Sequence, residues 1–159
     1  MLLVLSAQTF GARGESIQER VLALVNDFRN EQQRAPLESE ARLASAAQAF
    51  AEHLAATGRF EHNADGTTPR ARAKERGYDA CVIAENIAYE YSSRGFTTEQ
   101  LARQFVQGWK ESATHRENLM WAAFSDTGIG VARARDGGYY AVQMFGAPRV
   151  AGKRCPRLN

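Results

Sequence analysis

The chain has 159 residues, 44% of them hydrophobic and 24% charged, the proportions of a folded globular domain and not of a disordered or fibrous chain. A chain of this length buries roughly two thirds of its unfolded surface, enough for one core without a staple. Twenty Lys and Arg interleave with eighteen Asp and Glu for a formal charge of +2, which argues against a nucleic-acid partner, and no apolar run approaches the ~18 residues of a membrane span.

The opening run Met1 to Ala7 is apolar but lacks a basic n-region; residues 1–15 read as a truncated signal-peptide remnant or as a lead-in that packs on the body. From Ser16, Ile17, Val21, Leu24, Val25 and Phe28 fall on one helical stripe. Pro36 ends that pattern. A second helix is predicted after Ser39, through Leu43, Ala46, Ala47, Phe50, Ala51 and Leu54, with Gly58 as its stop. The Asn, Asp and Gly of Phe60 to Thr67 favour turns and put His62 on a loop. Thr68 and Pro69 then start a short basic helix, expected to be exposed, that ends at Gly77.

Cys81 to Tyr91 is too short and mixed to choose between strand and loop. Thr97 with Gln100 forms a capping box ahead of Leu101, Phe105 and Trp109, and Thr114 with Glu117 suggests a second box that would make His115 the first helical residue. Thr127 to Ala134 and Tyr139 to Phe145 read as two antiparallel strands joined at Asp136-Gly137-Gly138. Helices first and strands last, without βαβ alternation, predict an α+β domain over 16–148 with helices on a small antiparallel sheet. A basic tail follows over 149–159, carrying Arg149, Lys153, Arg154 and Arg157.

Three histidines are present. His53 lies within a helix at the edge of its apolar face and reads as an ordinary boundary residue. His62 and His115 stand in polar, turn-like settings. At a helix N-terminus His115 would stay neutral, the form that binds zinc. Glu85, in the apolar surround Ile83-Ala84-Glu85-Asn86-Ile87, is either a structural hydrogen-bond acceptor or a ligand or general base. Glu111 would share a face with His115 only if one helix ran through both, and Ser112 lies three residues from His115 without any hydrolase elbow around it. Cys81 and Cys155 are either bridged or two separate thiols.

Phe60-Glu61-His62 with Asp65-Gly66, Ala84-Glu85-Asn86-Ile87-Ala88, Gly108-Trp109, His115-Arg116-Glu117-Asn118-Leu119, Gly128-Ile129-Gly130-Val131 and Tyr140 to Gly146 occur in series. In this order and spacing the chain, from about Val21 to Gly146, resembles the bacterial branch of the CAP superfamily of cysteine-rich secretory, antigen 5 and pathogenesis-related proteins. The resemblance implies a three-layer α-β-α sandwich, a secreted or periplasmic location, and a cleft of two histidines and two acids. Its histidines map to His62 and His115, and its first acid to Glu85. The second acid belongs three residues after the tryptophan, where this chain has Ser112, with Glu111 one position early.

Three functions follow as expectations. The first is a secreted binding module whose His62, Glu85, His115 cleft takes Zn²⁺, another divalent cation or a small ligand, or which binds lipid nearby. The second is a hydrolase, protease or esterase, in which a metal or histidine base activates water in the same cleft. The third is an interaction scaffold that meets a protein partner through the loops at 60–67 and 90–97.

Overall fold

A computed structural model describes residues 14–156. The expected signal remnant and Arg157 lie outside them, apart from the lead-in residues from Gly14. Five helices and four strands follow in the order α1 (Ile17–Glu31), β1 (Glu38–Ser39), α2 (Ala41–Thr57), α3 (Pro69–Glu75), β2 (Ala80–Glu90), α4 (Thr98–Glu111), α5 (Ala113–Met120), β3 (Asp126–Arg133) and β4 (Tyr139–Pro148). The sheet order is β1-β3-β4-β2. β2 and β3 both pair antiparallel with β4, while β1 adds a two-residue parallel pairing to β3 that the expectation of an antiparallel sheet did not include.

The sheet separates two apolar layers. On one face α1, α4 and α5 bury Val21, Val25, Phe28, Leu101, Phe105, Trp109 and Leu119 against Phe145, Ala141 and Ile129. On the other, α2 buries Leu43, Ala47, Phe50 and Leu54 against Ile87, Tyr140, Val142 and Met144. The domain is thus the three-layer α-β-α sandwich, and alternation along β4 sorts odd residues to the first layer and even residues to the second.

Local chemistry sets the helix limits. Ser16 and Glu19 form a reciprocal capping box at α1, Thr97 and Gln100 another at α4, and Thr68 caps α3 ahead of Pro69. Gly58 ends α2 at φ 70°, in the left-handed region. Glu40, and not the preceding Ser39, caps α2, because Ser39 is already paired with Thr127 in the sheet.

Two local expectations are corrected and one open segment is resolved. Ser112 adopts extended angles (φ −83°, ψ 123°) and breaks the chain for one residue, so α5 starts at Ala113 and the Thr114–Glu117 box does not form. His115 is consequently the third helical residue. α3 is not simply exposed, since Arg72 and Ala73 are buried in it. The ambiguous segment at 81–91 is strand β2.

The two cysteines are joined. Cys81 and Cys155 form a disulfide with Cα atoms 5.2 Å apart. It ties the segment after β4 to the start of β2 and, on the chain-entropy model, a loop of this size stabilises by about 4 kcal/mol.

Candidate functional site

The site is assembled on β2, the edge strand beside β4. Because side chains alternate along a strand, adjacent residues serve opposite layers. Glu85 faces the α2–α3 layer and its side chain is only 1% exposed, whereas that of His62, on the loop after α2, is 50% exposed. Glu85 Oε1 lies 2.9 Å from His62 Nδ1, and Oε2 accepts from Arg72 Nη2 at 2.8 Å.

A carboxylate already engaged with a guanidinium acts toward His62 as an acceptor. The Nδ1 proton therefore sits on the Glu85 side, which leaves the lone pair on Nε2 of the half-exposed ring. Arg72 does more than pair with Glu85. Its guanidinium also donates to the His62 carbonyl at 3.0 Å, to Asp65 Oδ1 at 2.9 Å and to Thr67 Oγ1 at 3.2 Å, and lies 3.6 Å from the Phe50 ring centroid. One buried cation thus fixes the loop backbone that carries His62 and the acid that orients its ring. Partial burial pushes the Asp65 carboxyl up, but the Thr67 backbone N–H and hydroxyl that donate to it, and then Arg72, hold it below the usual range.

Asn86 serves the other layer. Its Nδ2 donates to the His115 carbonyl at 3.1 Å, and Asn118 Nδ2 donates to Asn86 Oδ1 at 2.9 Å. The dipeptide Glu85-Asn86 therefore holds one histidine segment by each side chain, from opposite faces of a single strand. At the far end of α5 the fully buried Arg29 donates to the Leu119 carbonyl at 2.7 Å and to that of Ala35 at 2.7 Å. A cation at a helix C-terminus complements its dipole, and here it anchors the helix that presents His115.

The two imidazoles sense one another. His115 is half-buried, and burial first, then the charge of His62, pushes its ring below the ordinary histidine value. The N-terminal end of α5 favours the same direction. Unfolding returns the ring to about 6.5, so the unfolded chain binds more protons as the pH falls through that value. The metal-free domain is expected to lose stability below about pH 6.5 more steeply than a His115→Gln variant, as measured by urea unfolding across pH 5 to 8. Parallel curves would contradict the assignment.

His62, Glu85 and His115 are thus drawn into one region at the β2 edge. Among the described residues, neither Glu111 nor Ser112 makes a side-chain hydrogen bond to His62, Glu85 or His115. Glu111 is exposed and accepts from Gln107 Nε2 at 2.7 Å, and Ser112 forms the break between α4 and α5, its side chain making no capping bond. His53 is a boundary residue that reaches the Ala64 carbonyl at 3.2 Å. Arg72, Asn86, Asn118 and Arg29 were not among the residues singled out from the sequence.

A sequence model of the Cysteine-rich secretory protein family, CAP, matches residues 22–145. The chain belongs to the CAP family. Solved structures share the fold of this CAP domain at low identity. An outer surface protein from Borrelia burgdorferi has a TM-score of 0.69 at 20% identity, covering 81% of this chain and 90% of that one. An extracellular SCP-domain protein from Bacillus anthracis has 0.67 at 23%, covering 82% and 40%. NaASP2, crystallised with Zn²⁺, has 0.62 at 16%, covering 89% and 84%. No curated protein matches the sequence significantly.

The donor set of this CAP domain bears on zinc directly. Both Glu85 oxygens are engaged, and among the described residues no three His, Cys, Asp or Glu side chains are gathered as a metal cluster. The imidazoles of His62 and His115 remain as candidate nitrogen donors, that of His62 backed by the Glu85 carboxylate. No helix among the described residues is long and apolar enough to cross a membrane.

Proposed function

We propose that this CAP domain is an extracytoplasmic binding module that holds a divalent cation such as Zn²⁺ between the rings of His62 and His115. The observation that carries the reading is the Glu85 carboxylate, buried and doubly bonded, which turns Nε2 of a half-exposed His62 into a fixed lone-pair donor. Glu85 acts here as an orienting group behind His62 and not as a third ligand. The His115 ring, neutral at pH 7 because its value is lowered, supplies the second nitrogen. A cation so bound offers open positions to a small polar or anionic ligand.

We favour binding over hydrolysis because turnover needs a further nucleophile or acid–base group engaged with the rings, and neither Ser112 nor Glu111 makes a side-chain hydrogen bond to them. Secretion is supported by the Cys81–Cys155 bridge, which persists in oxidising compartments.

Calorimetric titration of the metal-stripped domain with Zn²⁺ is expected to show one site in the micromolar range, weaker than a four-ligand structural site. That binding should vanish in a folded His62→Ala, His115→Ala double variant. Equal binding by both proteins, or none by either, would remove the metal from this cleft. Peptide or ester turnover lost in the same variant would transfer the site to the hydrolase reading.

A further inference from the structure

β2 ends the sheet, so one side of its backbone has no strand partner. In an antiparallel ladder successive residues point their N–H and C=O alternately toward and away from the partner strand. Three side chains show which β2 residues point away from β4. Arg70 Nη2 donates to the Cys81 carbonyl at 2.6 Å, Asn118 Nδ2 reaches that of Glu85 at 3.5 Å, and Trp109 Nε1 donates to that of Ile87 at 3.1 Å. The register with β4 is unbroken from Val82 to Glu90, so Ile83 belongs to the same outward set. Between Cys81 and Ile87, it is the one outward residue whose carbonyl no described side chain covers.

At this gap lies a cavity of about 350 Å³ lined by Ile83 with its neighbours Val82 and Ala84, by the apolar side chain of Trp121 and by the polar residues Glu117 and Asn118. It opens between the edge of β2 and the C-terminal end of α5. We propose that this edge is a docking site for an extended peptide segment of another protein, which bridges Ile83 by two backbone hydrogen bonds and seats one apolar side chain in the cavity. An outward N–H and C=O at ladder spacing call for an extended backbone, which a lipid tail does not provide. The carboxylate of Glu117 selects for a basic residue flanking the anchor. Neither His62 nor His115 lines the cavity, and peptide docking there does not depend on a metal.

Heptapeptides selected from a random phage-displayed library on the full chain, then resynthesised, provide the probe. Wild-type protein should bind them with an apolar residue at one fixed position. Ile83→Pro removes one N–H at an edge position where proline is tolerated, and should weaken binding at least about tenfold while leaving circular dichroism unchanged. N-methylation of the peptide backbone, scanned position by position, should produce the same loss at the bridging residue and not at its neighbours. That scan decides the matter if Ile83→Pro does not fold. Failure to select any binder, or binders indifferent to both changes, would overturn the proposal. So would displacement of the peptide by phosphatidylcholine vesicles, which would assign the cavity to lipid.

Discussion

An Arg72→Met variant is expected to lose about 3–5 kcal/mol of stability, the cost of leaving one partner of a buried ion pair without the other. The methionine keeps the apolar stem over Phe50, so the loss isolates the guanidinium. Glu85 would then be almost fully buried with only His62 as a partner, and the loop carbonyl of His62 and the carboxylate of Asp65 would each lose a donor. Arg72→Lys should fall between, since an ammonium keeps the charge but cannot reproduce the fork that reaches four acceptors. Combining Arg72→Met with Glu85→Met should recover part of the loss, because the buried charge is then gone from both sides. Urea unfolding of the four proteins tests this. An Arg72→Met protein within about 1 kcal/mol of wild type would mean that Glu85 is solvated or otherwise paired.

Gly128→Ala is expected to cost about 3 kcal/mol or more, beyond the usual range for overpacking. A Cβ at Gly128 would lie 2.1 Å from Ala44 N and from Leu43 C, and one at Gly130 would lie 2.3 Å from Ala47 C and from Gln48 N. These are backbone atoms on successive turns of α2, so no side chain can swing aside and the helix must lift off β3. α2 carries Leu43, Phe50 and Leu54 into the core, so lifting it opens one whole layer. Gly108 gives a contrast of opposite sign. Nothing lies within 4 Å of a Cβ there, and it sits inside α4. Gly108→Ala should therefore stabilise by about 0.5–1 kcal/mol. Thermal melts of the two variants should move in opposite directions, and a neutral Gly128→Ala would show that α2 does not press on β3 as described.

The same residues explain what the sequence conveyed and what it did not. The stripe of Val21, Val25 and Phe28 and that of Leu43, Phe50 and Leu54 were legible because each helix buries one face against one sheet. β2 was ambiguous for the opposite reason. At its centre it is buried on both sides, Glu85 and Ile87 toward one layer and Asn86 toward the other, which erases the polar-apolar alternation that identifies a strand. His62, Glu85 and His115 stand out in the sequence by their settings and by the resemblance. Arg72 looked like any solvated cation in Arg70-Ala71-Arg72-Ala73-Lys74, since only the tertiary approach of Glu85 makes it buried. Asn86 was adjacent to a named acid, but its role depends on facing the opposite layer, which requires knowing that the segment is a strand. The false capping box at Thr114 failed because Ser112 had already restarted the helix one residue after α4 ended.

In the proposed metal site, Glu85 fixes Nδ1–H of His62 so that Nε2 and the His115 ring serve as the metal donors. The most direct measurement is a long-range ¹H–¹⁵N spectrum of the imidazoles in the metal-stripped domain, repeated with Zn²⁺ and in Glu85→Gln. Without metal the His62 ring is expected to be protonated at Nδ1. On adding Zn²⁺, Nε2 of His62 and one nitrogen of His115 should shift together while the Nδ1 proton stays in place. Glu85→Gln should weaken that response at least about tenfold, as expected for loss of an orienting partner. A His62 ring protonated at Nε2, or a Zn²⁺ response confined to one histidine, would contradict it.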